Sequence, residues 1–144
     1  MRKEAEHARI DDQLCFALYS ASLAVSGAYR AMLKQHGLTY PQYLAMLALW
    51  ERDGCSVAEL GSALRLESST LSPMLKRLEA LTLVSRRRSR DDERVTLLTV
   101  TPRGWLLEAA VTPVREEIES STGLDAEAFA ALRESLFVLR DRFA

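Results

Sequence analysis

Apolar residues recur with the period of an α-helix over most of the chain, and polar start and stop residues divide them into segments. A long first helix is predicted to begin after Asp11, which caps it, and to run to about His36, where Gly37 stops it. The capping box Thr39-Tyr-Pro-Gln42, with its proline in the first turn, opens a second helix that ends at Asp53-Gly54. The first third of the chain therefore consists of two helices.

Two shorter helices follow. Ser56-Val-Ala-Glu59 is a second capping box and predicts a helix to Leu64. A fourth helix is predicted from near Ser68 to about Leu81. Pro73 suits this helix only in its first turn, because deeper inside it would remove a hydrogen bond and clash with the preceding turn.

The period then changes. Leu83–Arg88 and Val95–Thr101 predict two short strands joined by the polar segment Ser89-Arg-Asp-Asp-Glu93. This hairpin is the only β-structure that the sequence predicts. The fold class is therefore mainly α with a small β-hairpin wing, in a winged helix-turn-helix order.

Two helices complete the chain. Thr101-Pro102 caps a fifth helix, which Pro113 is expected to kink, and Asp125 starts a sixth. The first and last helices carry apolar faces with few elements left to cover them; these residues are Leu14, Leu18, Val25, Leu132, Leu136 and Leu139. Burial in a dimer is favoured modestly over packing of the two helices on each other within one subunit.

Composition narrows the class of protein. With 144 residues, 48% of them hydrophobic, the chain is sized for one domain with a real core. It has no apolar stretch long enough to cross a membrane and no secretion signal, so a cytoplasmic protein is expected. Two cysteines, Cys15 and Cys55, do not make a disulfide framework or a metal motif, and no metal or other cofactor is predicted.

Charge is distributed unevenly. Residues 76–103 contain eight basic and four acidic side chains, a net charge of +4, so the rest of the chain carries −5 of the total of −1. A basic lobe on an acidic body fits a protein that contacts DNA through one part only.

The fourth helix begins with short hydroxyl side chains, which can reach base edges and phosphates when the first turn of a recognition helix enters the major groove. They are Ser68, Ser69, Thr70 and Ser72. Lys76 and Arg77, one and two turns later, can reach phosphates or a guanine. The alternative is that the hydroxyls only cap a helix, but capping does not explain the arginine-rich hairpin directly downstream.

Within the hairpin, Asp92 is expected to hold the Arg94 guanidinium by a paired hydrogen bond, so that Arg94 enters the minor groove. Four further arginines would bind phosphates: Arg86, Arg87, Arg88 and Arg90. A solvated face is the commoner explanation of an isolated charge run. The position of this run after a candidate recognition helix favours DNA.

Over nearly its full length the chain resembles the MarR family of winged-helix regulators, through the segments 71–79, 86–94 and 98–104. The resemblance implies a homodimer joined by its terminal helices (residues 1–37 and 105–144) and a winged lobe (38–104) on each half of a pseudo-palindromic operator. Two residues depart from the family pattern. Thr82 replaces a glycine, so the corner after the recognition helix could differ. Glu67 replaces an aspartate and leaves Ser68 as the expected cap.

Cys15 lies near the start of the first helix, where the helix dipole favours a thiolate while Asp11 and Asp12 oppose it. From the residues alone, a lone cysteine on an apolar helix is more often an inert packing residue.

The segments 11–19 and 38–43 resemble the organic-hydroperoxide-sensing (OhrR-like) branch of the family, and this resemblance implies that Cys15 is a peroxide sensor hydrogen-bonded by Tyr29 and Tyr40. Fourteen residues of one straight helix separate Cys15 from Tyr29 by about 21 Å. If Tyr29 bonds Cys15, it must therefore come from the partner subunit.

A subgroup of this branch has a resolving cysteine in the fifth-helix region, where this chain has Ser120-Ser-Thr122. Cys55 matches no resolving position and is expected to be a packing or surface residue. The chain thus resembles the one-cysteine type, in which oxidised Cys15 reacts with a small cellular thiol or is oxidised further. The predicted function is a repressor that leaves its operator when organic hydroperoxides oxidise Cys15.

Three alternatives remain open at this point. A phenolic or carboxylate ligand could release the DNA without thiol chemistry. A thiol peroxidase is disfavoured because the chain lacks the mixed α/β pattern of that class, so no enzyme is expected. A winged protein-interaction module is the third.

Overall fold

The computed structural model describes residues 8–144, which fold into six α-helices and one two-stranded antiparallel sheet. The elements follow in the order α1 (Leu14–Leu33), α2 (Tyr40–Glu51), α3 (Val57–Leu64), α4 (Ser68–Ala80), β1 (Val84–Arg88), β2 (Thr96–Val100), α5 (Pro102–Ser121) and α6 (Ala126–Phe143). The predicted fold class is confirmed. None of the helices in this part of the chain combines the length and the apolar composition that a membrane span needs.

Several predicted helix boundaries are confirmed by their hydrogen bonds. At the start of α2, the Thr39 amide donates to Gln42 Oε1 at 3.0 Å and the Gln42 amide donates to Thr39 Oγ1 at 3.3 Å. Thr101 and Asp125 cap α5 and α6 with their side-chain oxygens. Gly37 stops the first helical segment with φ at 71°, a conformation that glycine adopts readily.

Two predicted caps were wrong. Asp11 lies in a short 3₁₀ turn, Ile10–Asp12, and the extended residue Gln13 is the N-cap of α1 instead. Glu67 is the extended N-cap of α4, although its side chain makes no capping hydrogen bond, and Ser68 is already helical. In both places the backbone conformation of the preceding residue, and not the side chain with the best capping chemistry, fixes the first helical residue.

Three further expectations need correction. The second capping box is only half formed: Ser56 Oγ accepts from the Glu59 amide at 3.0 Å, while the Glu59 carboxylate pairs with Arg52 at 3.2 Å. Pro73 lies in the second turn of α4, and the helix continues past it to Ala80. The hairpin is not the whole of the β-structure, because Ser56 forms an isolated antiparallel bridge with Leu97.

The core lies where α2, α3, α4 and the hairpin meet, and α5 adds Val111 and Val114 to it. Each of α2, α3 and α4 buries one face, and the strands pair from Val84 opposite Val100 to Arg88 opposite Thr96. Trp50 Nε1 donates to the Gly104 carbonyl at 3.1 Å, which ties α2 to the first turn of α5. The winged lobe is therefore a packed unit attached to the long helix α5.

The terminal helices are covered much less. Leu33 is the only buried residue of α1, and within residues 8–144 no residue of α6 is buried. Apolar side chains on α1 and α6 remain exposed, among them Leu14 at 62%, Tyr19 at 64%, Leu132 at 51% and Phe143 at 87%. Large apolar side chains exposed in this number on two helices are typical of an interface between subunits.

Candidate nucleic-acid interface and thiol site

The first turns of α4 present the predicted hydroxyl side chains to solvent. Leu71, Leu75 and Leu78 are buried and anchor the opposite face of the helix in the core. The polar face is exposed and carries Ser68, Ser69, Thr70, Ser72, Lys76 and Arg77. Because the apolar stripe fixes the rotation of the helix, these six residues share the outer surface of the lobe.

A groove of about 730 Å³ lies between α3, the start of α4 and the wing. Ser68 lines it from α4, Arg65 and Glu67 line it from the turn before α4, and Arg86 and Arg94 line it from the hairpin. The fold thus brings the predicted recognition helix and two of the predicted wing arginines to one concave surface.

The tip of the wing is held together by hydrogen bonds. Arg94 Nε and an Nη atom donate to the two oxygens of Asp92 at 3.1 and 3.2 Å, as the sequence predicts, and the Arg94 amide donates to Asp92 at 3.1 Å. These bonds lower the pKa of Asp92 below its usual value. The Arg94 side chain is 90% exposed, so Asp92 orients the guanidinium while leaving it accessible.

The remaining wing arginines differ in their surroundings. Arg86 Nε donates to Glu79 Oε2 at 2.8 Å, and Arg88 donates to the Glu93 carbonyl at 2.7 Å. The side chains of Arg87 and Arg90 are exposed and form no hydrogen bond or ion pair with any part of the chain that the structure describes. The four arginines that the sequence treats alike are therefore not equivalent.

The corner between α4 and β1 keeps the conformation that a glycine would favour. Thr82 has φ at 61°, in the left-handed region. The Thr82 amide donates to the Glu79 carbonyl at 2.9 Å and the Leu83 amide donates to the Leu78 carbonyl at 3.1 Å, so the helix ends as it would with glycine. The threonine leaves the corner unchanged and places a strained β-branched residue in it.

Three tyrosine rings form a cluster between α1 and α2. The Tyr29 centroid lies 4.9 Å from that of Tyr40 and 5.4 Å from that of Tyr43. Burial, reinforced by the two neighbouring phenols, raises the pKa of Tyr29 to about 12, and burial raises the pKa of Tyr40 as well. All three phenols are neutral at physiological pH.

Cys15 is the second residue of α1 and is exposed within a single chain. It shares that helix with Tyr29, fourteen residues later, so about 21 Å of helix separates them. The structure therefore brings Tyr29 and Tyr40 together but leaves Cys15 away from both within one subunit.

Cys55 is a different kind of thiol. It is 6% exposed, and its carbonyl accepts from the Leu98 amide at 2.8 Å in the lobe core. Burial, with a contribution from the Glu59 charge, raises the pKa of this thiol. The structure confirms that Cys55 is a packing residue.

A second cavity, of about 700 Å³, lies between α2, α5 and α6. Its lining includes the aromatic residues Tyr43 and Trp50, and its charged residues are Arg115, Arg133, Glu51 and Glu108. The cavity adjoins the phenol cluster because Tyr43 belongs to both.

Sequence reasoning missed two residues that complete these arrangements. Tyr43 follows Tyr40 by three residues on one helix, a spacing that places the two rings on the same face. Glu79 carries no comparable local signal. Its partner Arg86 is on another element, and only the fold brings the pair together.

Residues 28–105 match the family model described as transcriptional regulator SarA/Rot. The regulator TtmR of Methylorubrum extorquens (strain PA1) is 46% identical over 132 residues, which cover 92% of this chain and 68% of that protein. The organic hydroperoxide resistance transcriptional regulator of Bacillus subtilis (strain 168) is 37% identical over 139 residues, covering 96% of this chain and 95% of the relative.

The structure of reduced AbfR bound to DNA is similar to this one with a TM-score of 0.77. The two chains are 37% identical, and the match covers 94% of each.

Proposed function

The chain belongs to the MarR/SarA-type family of winged-helix transcriptional regulators. We propose that it is a homodimeric repressor, which releases duplex DNA when an organic hydroperoxide oxidises Cys15. The observation that carries the proposal is the division of labour along the chain. The winged lobe has a polar recognition face. The exposed thiol lies on α1, and the neutral phenols lie on α1 and α2.

The DNA-binding part rests on exposure and charge. Hydroxyl groups of Ser68, Ser69, Thr70 and Ser72 are placed to reach bases and phosphates in the major groove, with Lys76 and Arg77 beside them. Arg94, oriented by Asp92, enters the minor groove, and the exposed Arg87 and Arg90 bind phosphates. The DNA-bound structure of the similar regulator AbfR supports this assignment.

The dimer rests on the exposed apolar faces of α1 and α6. A second copy would cover these faces and bring the partner subunit's phenol cluster to Cys15, a meeting that the length of α1 forbids within one chain. Tyr29 and Tyr40, neutral because their pKa values are raised, can then donate hydrogen bonds to the Cys15 sulfur.

The chemistry balances with one peroxide per thiol. The Cys15 thiolate attacks the terminal peroxide oxygen, the O–O bond breaks, the sulfur becomes a sulfenic acid, and the alcohol leaves after taking up a proton. A small cellular thiol then attacks the sulfenic sulfur, which gives a mixed disulfide and water. No further turnover is assigned to the chain, which therefore acts as a sensor and not as an enzyme.

Release follows from the loss of contacts at the interface. Losing two hydrogen bonds costs about 1–3 kcal/mol, and a bulky adduct adds a steric clash. Because each 1.4 kcal/mol changes affinity about tenfold, a dimer whose lobes leave half-site spacing would bind DNA at least tenfold more weakly.

The test measures binding to a duplex selected from a random-sequence library with the reduced protein, before and after cumene hydroperoxide and a small thiol. Wild-type protein should release the duplex, and Cys15→Ser should keep it. Cys55→Ser, the matched control at the buried thiol, should release it as wild type does. Release by Cys15→Ser on oxidation would remove Cys15 as the sensor.

The cavity between α2, α5 and α6 favours a second candidate function. Its aromatic and guanidinium lining suits a phenolic or carboxylate ligand, whose binding would release the DNA without thiol chemistry. Release by a simple phenolic carboxylate such as salicylate, persisting in excess dithiothreitol and abolished by Arg115→Ala, would support this candidate over oxidation.

A further inference from the structure

The wing is attached to the recognition helix by one side-chain ion pair. Arg86 Nε of β1 donates to Glu79 Oε2 near the end of α4 at 2.8 Å, and the two side chains are only 30% and 37% exposed. Among the ion pairs of the described chain this is the shortest, and it joins two elements that the proposed function places in different grooves of the DNA.

Strand geometry explains why Arg86 reaches Glu79. Side chains alternate between the two faces of a strand, so Arg86 shares a face with Val84, which is 2% exposed, while Arg87 is on the opposite face. Leu98, the residue opposite Arg86 in the register, is fully buried. Arg86 therefore continues the inner, core-facing side of the wing, and Arg87 belongs to its outer side.

The same pair adds to a corner that is otherwise held by main-chain hydrogen bonds and by the bond from Thr101 Oγ1 to the Thr82 carbonyl at 2.6 Å. Between Ala80, the last residue of α4, and Val84, the first of β1, the turn is stabilised by the bonds from the Thr82 and Leu83 amides to α4 carbonyls. A recognition helix in the major groove and a wing tip in the minor groove can both fit only at one mutual angle. A side-chain contact across this corner restricts that angle.

Charge gives a further reason for the pair. Glu79 is on the helix that faces the DNA in the proposed complex, where an unpaired carboxylate would repel phosphates. The ion pair with Arg86 neutralises the charge of the Glu79 carboxylate. The same bond occupies the Nε of Arg86, whose side chain lines the groove beside the start of α4.

Resting on the proposed DNA-binding function, we propose that Glu79 and Arg86 are a positioning pair that sets the angle between recognition helix and wing, and that Arg86 does not bind a phosphate. The phosphate contacts of the wing belong to Arg87 and its exposed neighbours. This separates two arginines that are adjacent in the sequence by function.

The salt dependence of DNA binding distinguishes the two roles. Each phosphate contact contributes about 0.9 to the slope of log K against log salt concentration, whereas a positioning residue changes K at constant slope. The duplex is the one selected from a random-sequence library with the reduced protein, and the variants are Glu79→Gln, Arg86→Gln, their double variant and the matched control Arg87→Gln. Thermal unfolding at fixed protein concentration checks that each variant is folded.

We expect Glu79→Gln and Arg86→Gln each to weaken binding about fivefold with an unchanged slope, as the loss of a half-exposed ion pair implies. The double variant should be no weaker than either single variant, since both remove one contact. Because the proposed dimer carries two copies of Arg87, Arg87→Gln should lower the magnitude of the slope by about 1.8, that is about 0.9 for each lost contact.

Two results would overturn the proposal while leaving DNA binding intact. A slope lowered by about 1.8 in Arg86→Gln, about 0.9 for each subunit, would make Arg86 a phosphate contact. Tighter binding by Glu79→Gln would mean that the carboxylate only repels DNA or masks Arg86. If no duplex is selected at all, the proposed function fails together with the pair's role in it.

Discussion

Replacing Thr82 by glycine removes a β-carbon from a residue held at φ 61°, and we expect this variant to be more stable than the wild type. An L-residue with a side chain loses about 1–2 kcal/mol in the left-handed region, and β-branched residues are least suited to it. The position matters because it is the corner between the proposed recognition helix and the wing.

The net effect is smaller than the strain. Glycine makes the unfolded chain more flexible than threonine does, and this lowers the free energy of unfolding by about 0.4–1 kcal/mol. The Thr82 side chain is exposed and bonds only to the neighbouring Leu81 carbonyl, at 2.6 Å, so little burial is lost. The bond from Thr101 Oγ1 goes to the Thr82 carbonyl and survives the substitution. The free energy of unfolding should therefore rise by about 0.5–1 kcal/mol.

Urea unfolding measures this directly, at one fixed protein concentration because dimerisation contributes to apparent stability. The midpoint should rise with an unchanged m-value, and Tm should rise by about 1–4 °C. Thr82→Ala is the matched control, since it removes the β-branch but keeps the β-carbon, and it should gain less stability than the glycine variant. A glycine variant no more stable than the alanine variant would refute the argument from strain.

Three further outcomes test other parts of the structure. Gly104→Ala should lower the free energy of unfolding by about 2–3 kcal/mol in urea unfolding, because its β-carbon would lie 2.4 Å from the Leu83 carbonyl oxygen, and a wild-type midpoint would contradict that packing. Since the pKa of Tyr29 is raised to about 12, the stability that its neutral phenol contributes is complete below pH 10 and is lost as pH rises towards 12. Tyr29→Phe should lessen this alkaline loss of stability in unfolding measurements. An unchanged loss would argue against this role of Tyr29. Since hydrogen bonds from Arg94 lower the pKa of Asp92, the bonded wing tip should persist until pH falls below the usual carboxyl range. Arg94→Gln should return the pKa of Asp92 towards normal in an NMR titration. An unchanged pKa of Asp92 would be the contrary result.

Local patterns predicted the elements of this fold well and their exact starts less well. Helical periodicity and the change to period two located all six helices and the hairpin. The caps predicted at Asp11 and Ser68 were wrong because the N-cap residue itself needs an extended backbone, and both of these residues already lie in helical turns. Tertiary contacts decide that conformation. Pro73 was likewise accommodated deeper in its helix than its chemistry suggests.

In the candidate site, too, the sequence predicted the contacts between neighbouring residues and not those between separate elements. The Asp92 and Arg94 pair is two residues apart, so sequence spacing was enough to predict it. The pair of Glu79 and Arg86 spans two elements, and a run of similar arginines hides that one of them faces inwards. Spacing alone also excluded a meeting of Cys15 and Tyr29 within one helix, which is why the account needs a second subunit.

In the proposed dimer, Cys15 of one subunit and Tyr29 of the other form one site, and mixed dimers can show whether they do. A dimer of one Cys15→Ser subunit and one Tyr29→Phe subunit contains one wild-type site if the pair forms between subunits, and none if it forms within a chain. The measurement is the rate of sulfenic acid formation at Cys15 with cumene hydroperoxide, compared with both wild type and the Tyr29→Phe homodimer, which should differ about fivefold for one lost hydrogen bond of about 1 kcal/mol. The mixed dimer should react at the wild-type rate if the site forms between subunits. Reaction at the rate of the Tyr29→Phe homodimer would show that it does not.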